Sequence, residues 1–117
     1  MTHSVLEEIP KIGPKRRKAL MEKFRTNPPK NFGSWKVEEF RDYETGKTVK
    51  PATGEEGTTG LPKSNVLYFA LDQDAWCCAR PSGTEPKIKF YMGVKGESLA
   101  DADAKVEELT EAVKANI

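Results

Sequence analysis

Residues 87–95 read KIKFYMGVK. Apolar side chains fall on every second position, Ile88, Phe90, Met92 and Val94, and Lys87, Lys89, Tyr91 and Lys95 occupy the alternate positions. Neighbouring side chains of a strand point to opposite faces, so this pattern predicts a sheet with one buried face. Just upstream, NVLYFALD (65–72) and AWCCA (75–79) are two apolar runs separated by Gln73-Asp74. Strands joined by so short a turn run antiparallel. SWKVEEFRDY (34–43) adds a strand rich in aromatic and β-branched residues. Trp35 and Val37 fit one face, while Phe40 falls one residue out of period, which predicts a bulge near Glu38-Glu39. VLEEIP (5–10) offers an edge strand, weakened by its two glutamates.

Two segments read as the helices that cover this sheet. In IGPKRRKALMEKFRTNPP (12–29), Pro14 suits a first helical turn, Leu20, Met21 and Phe24 share a face, and Asn27-Pro28-Pro29 ends the helix. In SLADADAKVEELTEAVKANI (98–117), Ser98 is a good N-cap with Asp101 three residues on. Leu99, Ala102, Val106, Leu109 and Val113 then form an apolar stripe. Residues 44–64 have no sustained period and are crowded with Gly, Thr and Pro, so a long mobile loop is expected there. The architecture predicted is α+β, two layers, with an antiparallel sheet covered on one face by two helices.

The 117 residues suffice for one domain with a modest core. Lysines and arginines (19) nearly cancel aspartates and glutamates (18), so no global field drives binding to nucleic acid or a membrane surface. No apolar run approaches the roughly 20 residues that span a bilayer. The start, MTHSVLEEIPK, has no basic leader before an apolar segment and reads as non-secretory. A cytoplasmic location is expected. Lys11, Lys15, Arg16, Arg17 and Lys18 read as a solvated helix face rather than a nucleic-acid patch, since no aromatic residues interleave them. The two cysteines, Cys77 and Cys78, are adjacent and read as reduced strand residues. With a single histidine, His3, and no clustered carboxylates, no metal site is expected in this chain.

The one segment that looks like chemistry is ARPSGTEPK (79–87). Arg80 is a planar donor fork that fits two oxygens at once. Ser82 and Thr84 add hydroxyl donors, and Gly83 lets backbone N–H groups approach a ligand closely. Pro81 and Pro86 stiffen the ends of the turn. Lys89 lies on the strand that follows. This donor-rich, positive inventory suits a phosphate dianion. An alternative stays open at this level: Arg80 pairs with Glu85 in an ordinary loop. No nucleophile with a partner base is present, so no catalytic residue is assigned.

RPSGTEPKIKFY strongly resembles the phosphate-binding loop of the α-D-phosphohexomutases, the phosphoglucomutase and phosphomannomutase superfamily. LMEKFRTNPP, DYETG, LPKSNVLYF and WCCARPSGTEPK follow in that family's order, so the resemblance covers nearly everything from residue 12. It implies that residues 12–117 are the family's C-terminal, fourth domain, preceded by a tail or truncated first strand at 1–11. It implies a fold resembling that of the TATA-box-binding protein, with a four-stranded antiparallel sheet and two helices on one face. It also implies that Arg80, Ser82, Gly83, Thr84 and Lys89 hold the phosphate of a phosphosugar. Such enzymes move a phosphoryl group between C1 and C6 of a hexose, or C1 and C5 of a pentose, through a sugar bisphosphate, with magnesium. The family's phosphoserine, magnesium and sugar loops belong to its three preceding domains and are absent here, so this chain alone is expected to be non-catalytic. The other readings are a free-standing anion-binding or nucleic-acid-binding module.

Overall fold

The computed structural model describes residues 2–9, 13–81 and 87–115, with residues 2–9 described as backbone. In chain order the elements are β1 (Thr2–Ile9), α1 (Pro14–Thr26), β2 (Asn31–Phe32), β3 (Trp35–Asp42), β4 (Lys47–Lys50), β5 (Glu55–Thr58), β6 (Leu67–Leu71), β7 (Trp76–Pro81), β8 (Ile88–Lys95) and α2 (Leu99–Lys114). The strands pair in the order β1-β8-β7-β6-β3-β4-β5, every pair antiparallel, and β2 forms a small hairpin with β3. The α+β architecture with an antiparallel sheet and two helices is therefore observed. The expectation of four strands is not: seven strands follow one another across the sheet.

The difference arises largely in residues 44–64, expected as one long loop. Strands β4 and β5 form a hairpin there, turned at Gly54 with a positive φ of 73°. Lys47 pairs with Glu56 at 3.1 Å and Lys50 with Glu55 at 3.6 Å across it. Every residue of β5 is exposed and β4 has only Thr48 and Val49 half-buried, so the hairpin has no fully buried residue to write a period into its sequence. At the other edge, residues 2–9 pair along their whole length with β8, from Thr2 opposite Lys95 to Ile9 opposite Ile88.

The core lies between one face of the sheet and the helices. Ile88, Phe90, Met92 and Val94 are buried, as their alternation requires. The register shifts between Val37 and Glu39, and this bulge returns Phe40 to the inner face. Phe69 sits at the centre, with the rings of Phe32 and Phe40 at 5.2 and 5.1 Å and that of Phe24, from α1, at 6.2 Å. Such offset and edge-on pairs add to plain area burial. Helix α2 buries Ala102, Val106, Leu109 and Val113, but Leu99 is exposed. The buried stripe begins one turn later, where the helix backbone at Ala102 comes close to Gly96. The Ser98 hydroxyl accepts from the Asp101 backbone N–H at 3.1 Å, the expected N-cap. Gln73 and Asp74 make the β6–β7 turn, with φ of 59° and 58°.

Candidate functional site

The site is set by the ends of β7 and β8. Ala79 and Phe90 are core residues and mutual partners in the ladder. The next position along each strand must face the other way, toward the helix-free side. Those positions are Arg80 and Lys89, and they too are direct partners. Side chains directly opposite each other have Cβ atoms about 5 Å apart. The structure thus brings together two of the five residues assigned from sequence. The other three, Ser82, Gly83 and Thr84, belong to the connection between β7 and β8 and lie outside the described residues, as does Glu85. None of the ion pairs between described residues involves Arg80 or Lys89. Like charges placed directly opposite each other destabilise a sheet. An anion between them reverses the sign of that interaction.

Cys78 and Tyr91 are partners one row further from the connection. Burial pushes the Cys78 thiol up to about 11, against the opposing charge of Arg80. Cys77 points into the core, and burial raises its thiol further. Both cysteines are free and protonated at neutral pH, so neither is a ready nucleophile. Across the same face, Tyr68 stacks on Trp76 at 6.2 Å, and the Arg41 guanidinium lies 5.0 Å from the Tyr68 ring centroid. Arg41 also donates to Tyr43 and Glu39, and these bonds hold its pKa above the ordinary value. Among the described residues, no group of three or more His, Cys, Asp or Glu side chains could hold a metal ion.

A second polar cluster had no signal in the sequence. Asp42 is 3% exposed and accepts from Arg25 Nε at 2.9 Å. Its other oxygen accepts from the backbone N–H of Glu44 at 3.0 Å, shaping the turn after β3. Arg25 donates as well to Asn65 Oδ1 at 2.9 Å. Arg25 and Asp42 are 17 positions apart, so only the packing of α1 on the sheet reveals the pair.

No family profile matches the chain. Individual proteins do. A phosphoglucomutase of Staphylococcus aureus (strain bovine RF122 / ET3-1) is 36% identical over 97 residues, which is 83% of this chain and 17% of the relative. A probable phosphomannomutase of Haemophilus influenzae is 38% identical over 95 residues, 81% of this chain and 17% of the relative. The chain is related to the phosphohexomutases. It spans 17% of the length of the phosphoglucomutase it matches, and that share is consistent with the C-terminal domain of a phosphohexomutase, one part of a larger enzyme. No helix among the described residues is long and apolar enough to cross a membrane.

Proposed function

We propose that this phosphohexomutase domain holds the phosphate of a phosphosugar for an enzyme that moves a phosphoryl group between C1 and C6 of a hexose, or C1 and C5 of a pentose, through a bisphosphate. One observation carries the reading: Arg80 and Lys89 stand directly opposite each other in the β7–β8 ladder. They flank the connection that contains Ser82, Gly83 and Thr84. Arg80 supplies a two-pronged donor and Lys89 a point charge. The hydroxyls of Ser82 and Thr84 and the backbone at Gly83 complete the donor set in this reading. Magnesium, where the full-length enzyme uses it, would be held by residues of the preceding domains and would supply positive charge to the transferred phosphoryl group. This chain's part is to bind and orient the phosphate that does not react. The helical layer on an antiparallel sheet is read as a TATA-box-binding-protein-like fold extended by the β4–β5 hairpin, and the location as cytoplasmic.

An amide chemical-shift titration with glucose 1-phosphate, glucose 6-phosphate and inorganic phosphate tests this. A few charge-assisted hydrogen bonds, set against the cost of association, leave Kd on the order of 1 mM. All three ligands should move the amides of Arg80, Lys89 and the connection between them. Arg80→Ala should abolish those shifts, and Arg80→Lys should restore them only in part, because an ammonium lacks the fork. Unchanged shifts in a folded Arg80→Ala chain would refute the assignment. The chain alone should not interconvert glucose 1-phosphate and glucose 6-phosphate.

A further inference from the structure

The helix-free side of the sheet carries a second hollow, built on β3, β4 and β5. Phe40 and Asp42 are buried on the inner side, so Arg41 and Tyr43 between and after them face outward. Glu39, carried to the same side by the bulge, accepts from Arg41. Arg41 is the ladder partner of Thr48, and Thr48 that of Gly57. A Cβ at Gly57 would come within 2.9 Å of the Thr48 hydroxyl oxygen, so the bare glycine leaves this row open. The hollow holds about 260 Å³ and is lined by Glu39, Arg41, Tyr43 and the threonines Thr48, Thr58 and Thr59, with the exposed Leu61 beside them. Its one cation and its one carboxylate are bonded to each other, so the hollow is neutral. Its hydrogen-bonding capacity is largely unspent. Among the described residues, nothing bonds the hydroxyls of Thr48 and Thr58, and Glu39 accepts through one oxygen only. The Tyr43 oxygen accepts from Arg41 at 3.5 Å and the Thr59 oxygen from the Leu61 N–H at 3.3 Å, which leaves both hydroxyl protons to donate.

We propose that this hollow binds the neutral pyranose ring of a saccharide, at a site separate from Arg80 and Lys89. Each sugar hydroxyl both donates and accepts, and hydroxyls on adjacent ring carbons come in pairs that suit a carboxylate edge, a guanidinium edge and a row of hydroxyls. An anion in the hollow would meet the Glu39 carboxylate, and an apolar ligand would strand the threonine hydroxyls without water. Leu61 gives the C–H side of the ring an apolar contact. The volume lies just below the range of about 300–1,000 Å³ that suits drug-sized ligands, which limits the occupant to about one ring. Strand β6 separates β3 from β7, so the strands of Arg41 and Arg80 are about 10 Å apart, and the rest of the lining lies on β4, β5 and the segment after them. The ring of a monosaccharide phosphate held at Arg80 therefore does not fill this hollow, and the proposal does not depend on the phosphate-site reading.

The test is an amide chemical-shift titration of the chain with methyl α-D-glucopyranoside, a neutral ring of fixed anomer, beside glycerol and inorganic phosphate. The glucoside should move the amides of Arg41, Tyr43, Thr48 and Thr58 saturably, with Kd on the order of 10 mM. The affinity should be the same at about 0.1 M and about 1 M salt, because a neutral ligand is not screened. Tyr43→Phe and Thr48→Val each remove one hydroxyl and should each weaken binding about fivefold. Arg80→Ala should bind the glucoside as the parent does, which keeps this site apart from the phosphate site. Maltotriose binding more tightly than the glucoside assigns the ring to a glycan chain, and equal binding assigns it to a free sugar. The absence of saturable shifts at these amides overturns the proposal, and so do shifts that glycerol reproduces. Parent-like affinity in both hydroxyl variants, with their amide spectra otherwise native, overturns it as well. Inorganic phosphate moving the same amides overturns the assignment to a neutral ligand.

Discussion

Removing the Asp42 carboxylate should be among the most damaging polar changes in this domain. Asp42 is 3% exposed and the Arg25 side chain 15% exposed, with Nε and Oδ2 at 2.9 Å. Asp42→Ala leaves a mostly buried guanidinium without its nearest counter-charge and removes the acceptor for the Glu44 N–H. Breaking one partner out of a buried pair costs about 3–5 kcal/mol. Arg25 retains Glu22, Glu44 and the Asn65 carbonyl, which places the cost at the lower end, about 3 kcal/mol. With a urea slope of about 1.5 kcal/mol/M, the unfolding midpoint falls by about 2 M. Trp35, 3% exposed in the core, reports the transition by fluorescence. Asp42→Asn keeps the turn acceptor and should lose less. The double variant Arg25→Met/Asp42→Ala should lose less than the two single changes added together, because removing the orphaned cation also removes its desolvation penalty. A midpoint unchanged in Asp42→Ala, or costs that simply add, would refute this account of the pair.

Three further outcomes are expected. Gly93→Ala places a Cβ 2.3 Å from Trp76 Nε1 and 2.6 Å from Cε2; the indole must leave its stack on Tyr68, with a loss of about 1–3 kcal/mol and a shifted tryptophan emission, both read in one denaturation series. Asp74→Gly relieves a residue held at φ 58° in the β6–β7 turn and should raise stability by about 1 kcal/mol, checked by the thermal midpoint. The Glu97 backbone N–H, at 2.8 Å, and then Lys105 hold the Asp101 carboxyl below its ordinary pKa; a depressed native pKa means stabilisation present above the unfolded value of about 3.9 and lost as pH falls through the native one, so the stability gap between parent and Asp101→Asn should be full at pH 7 and narrow steadily in denaturant melts below about pH 4.

The strands that build the core were legible because each carries a buried face. Period two in residues 88–95, the misplaced Phe40 and the Gln73-Asp74 turn each translate into one feature of the sheet. The β4–β5 hairpin was not legible for the converse reason: with β5 exposed throughout, only Thr48 and Val49 of β4 half-buried, and lysine–glutamate pairs across the strands, it shows no apolar period. Leu99 misled because a helical stripe says which side is apolar and not where the sheet begins. Arg25 and Asp42 form their pair through tertiary packing alone.

The candidate site residues Arg80 and Lys89 were legible as a donor-rich segment, but their opposition required the register. That register is fixed by the core and not by the charges. Ala79 and Phe90 are 0% and 2% exposed and are partners. A slip of one residue would turn both out to solvent and bring Arg80 inward. The sheet is therefore compelled to set Arg80 against Lys89 at the next step, although two like charges across a ladder work against pairing. On the other side of β8 the register sets Glu8 of β1 opposite Lys89, so one of the two cations already has an acid at its neighbouring ladder position. Arg80, at the end of β7, is the exposed member of the pair, and an anion held there, as proposed above, would complete the compensation that Glu8 begins at Lys89.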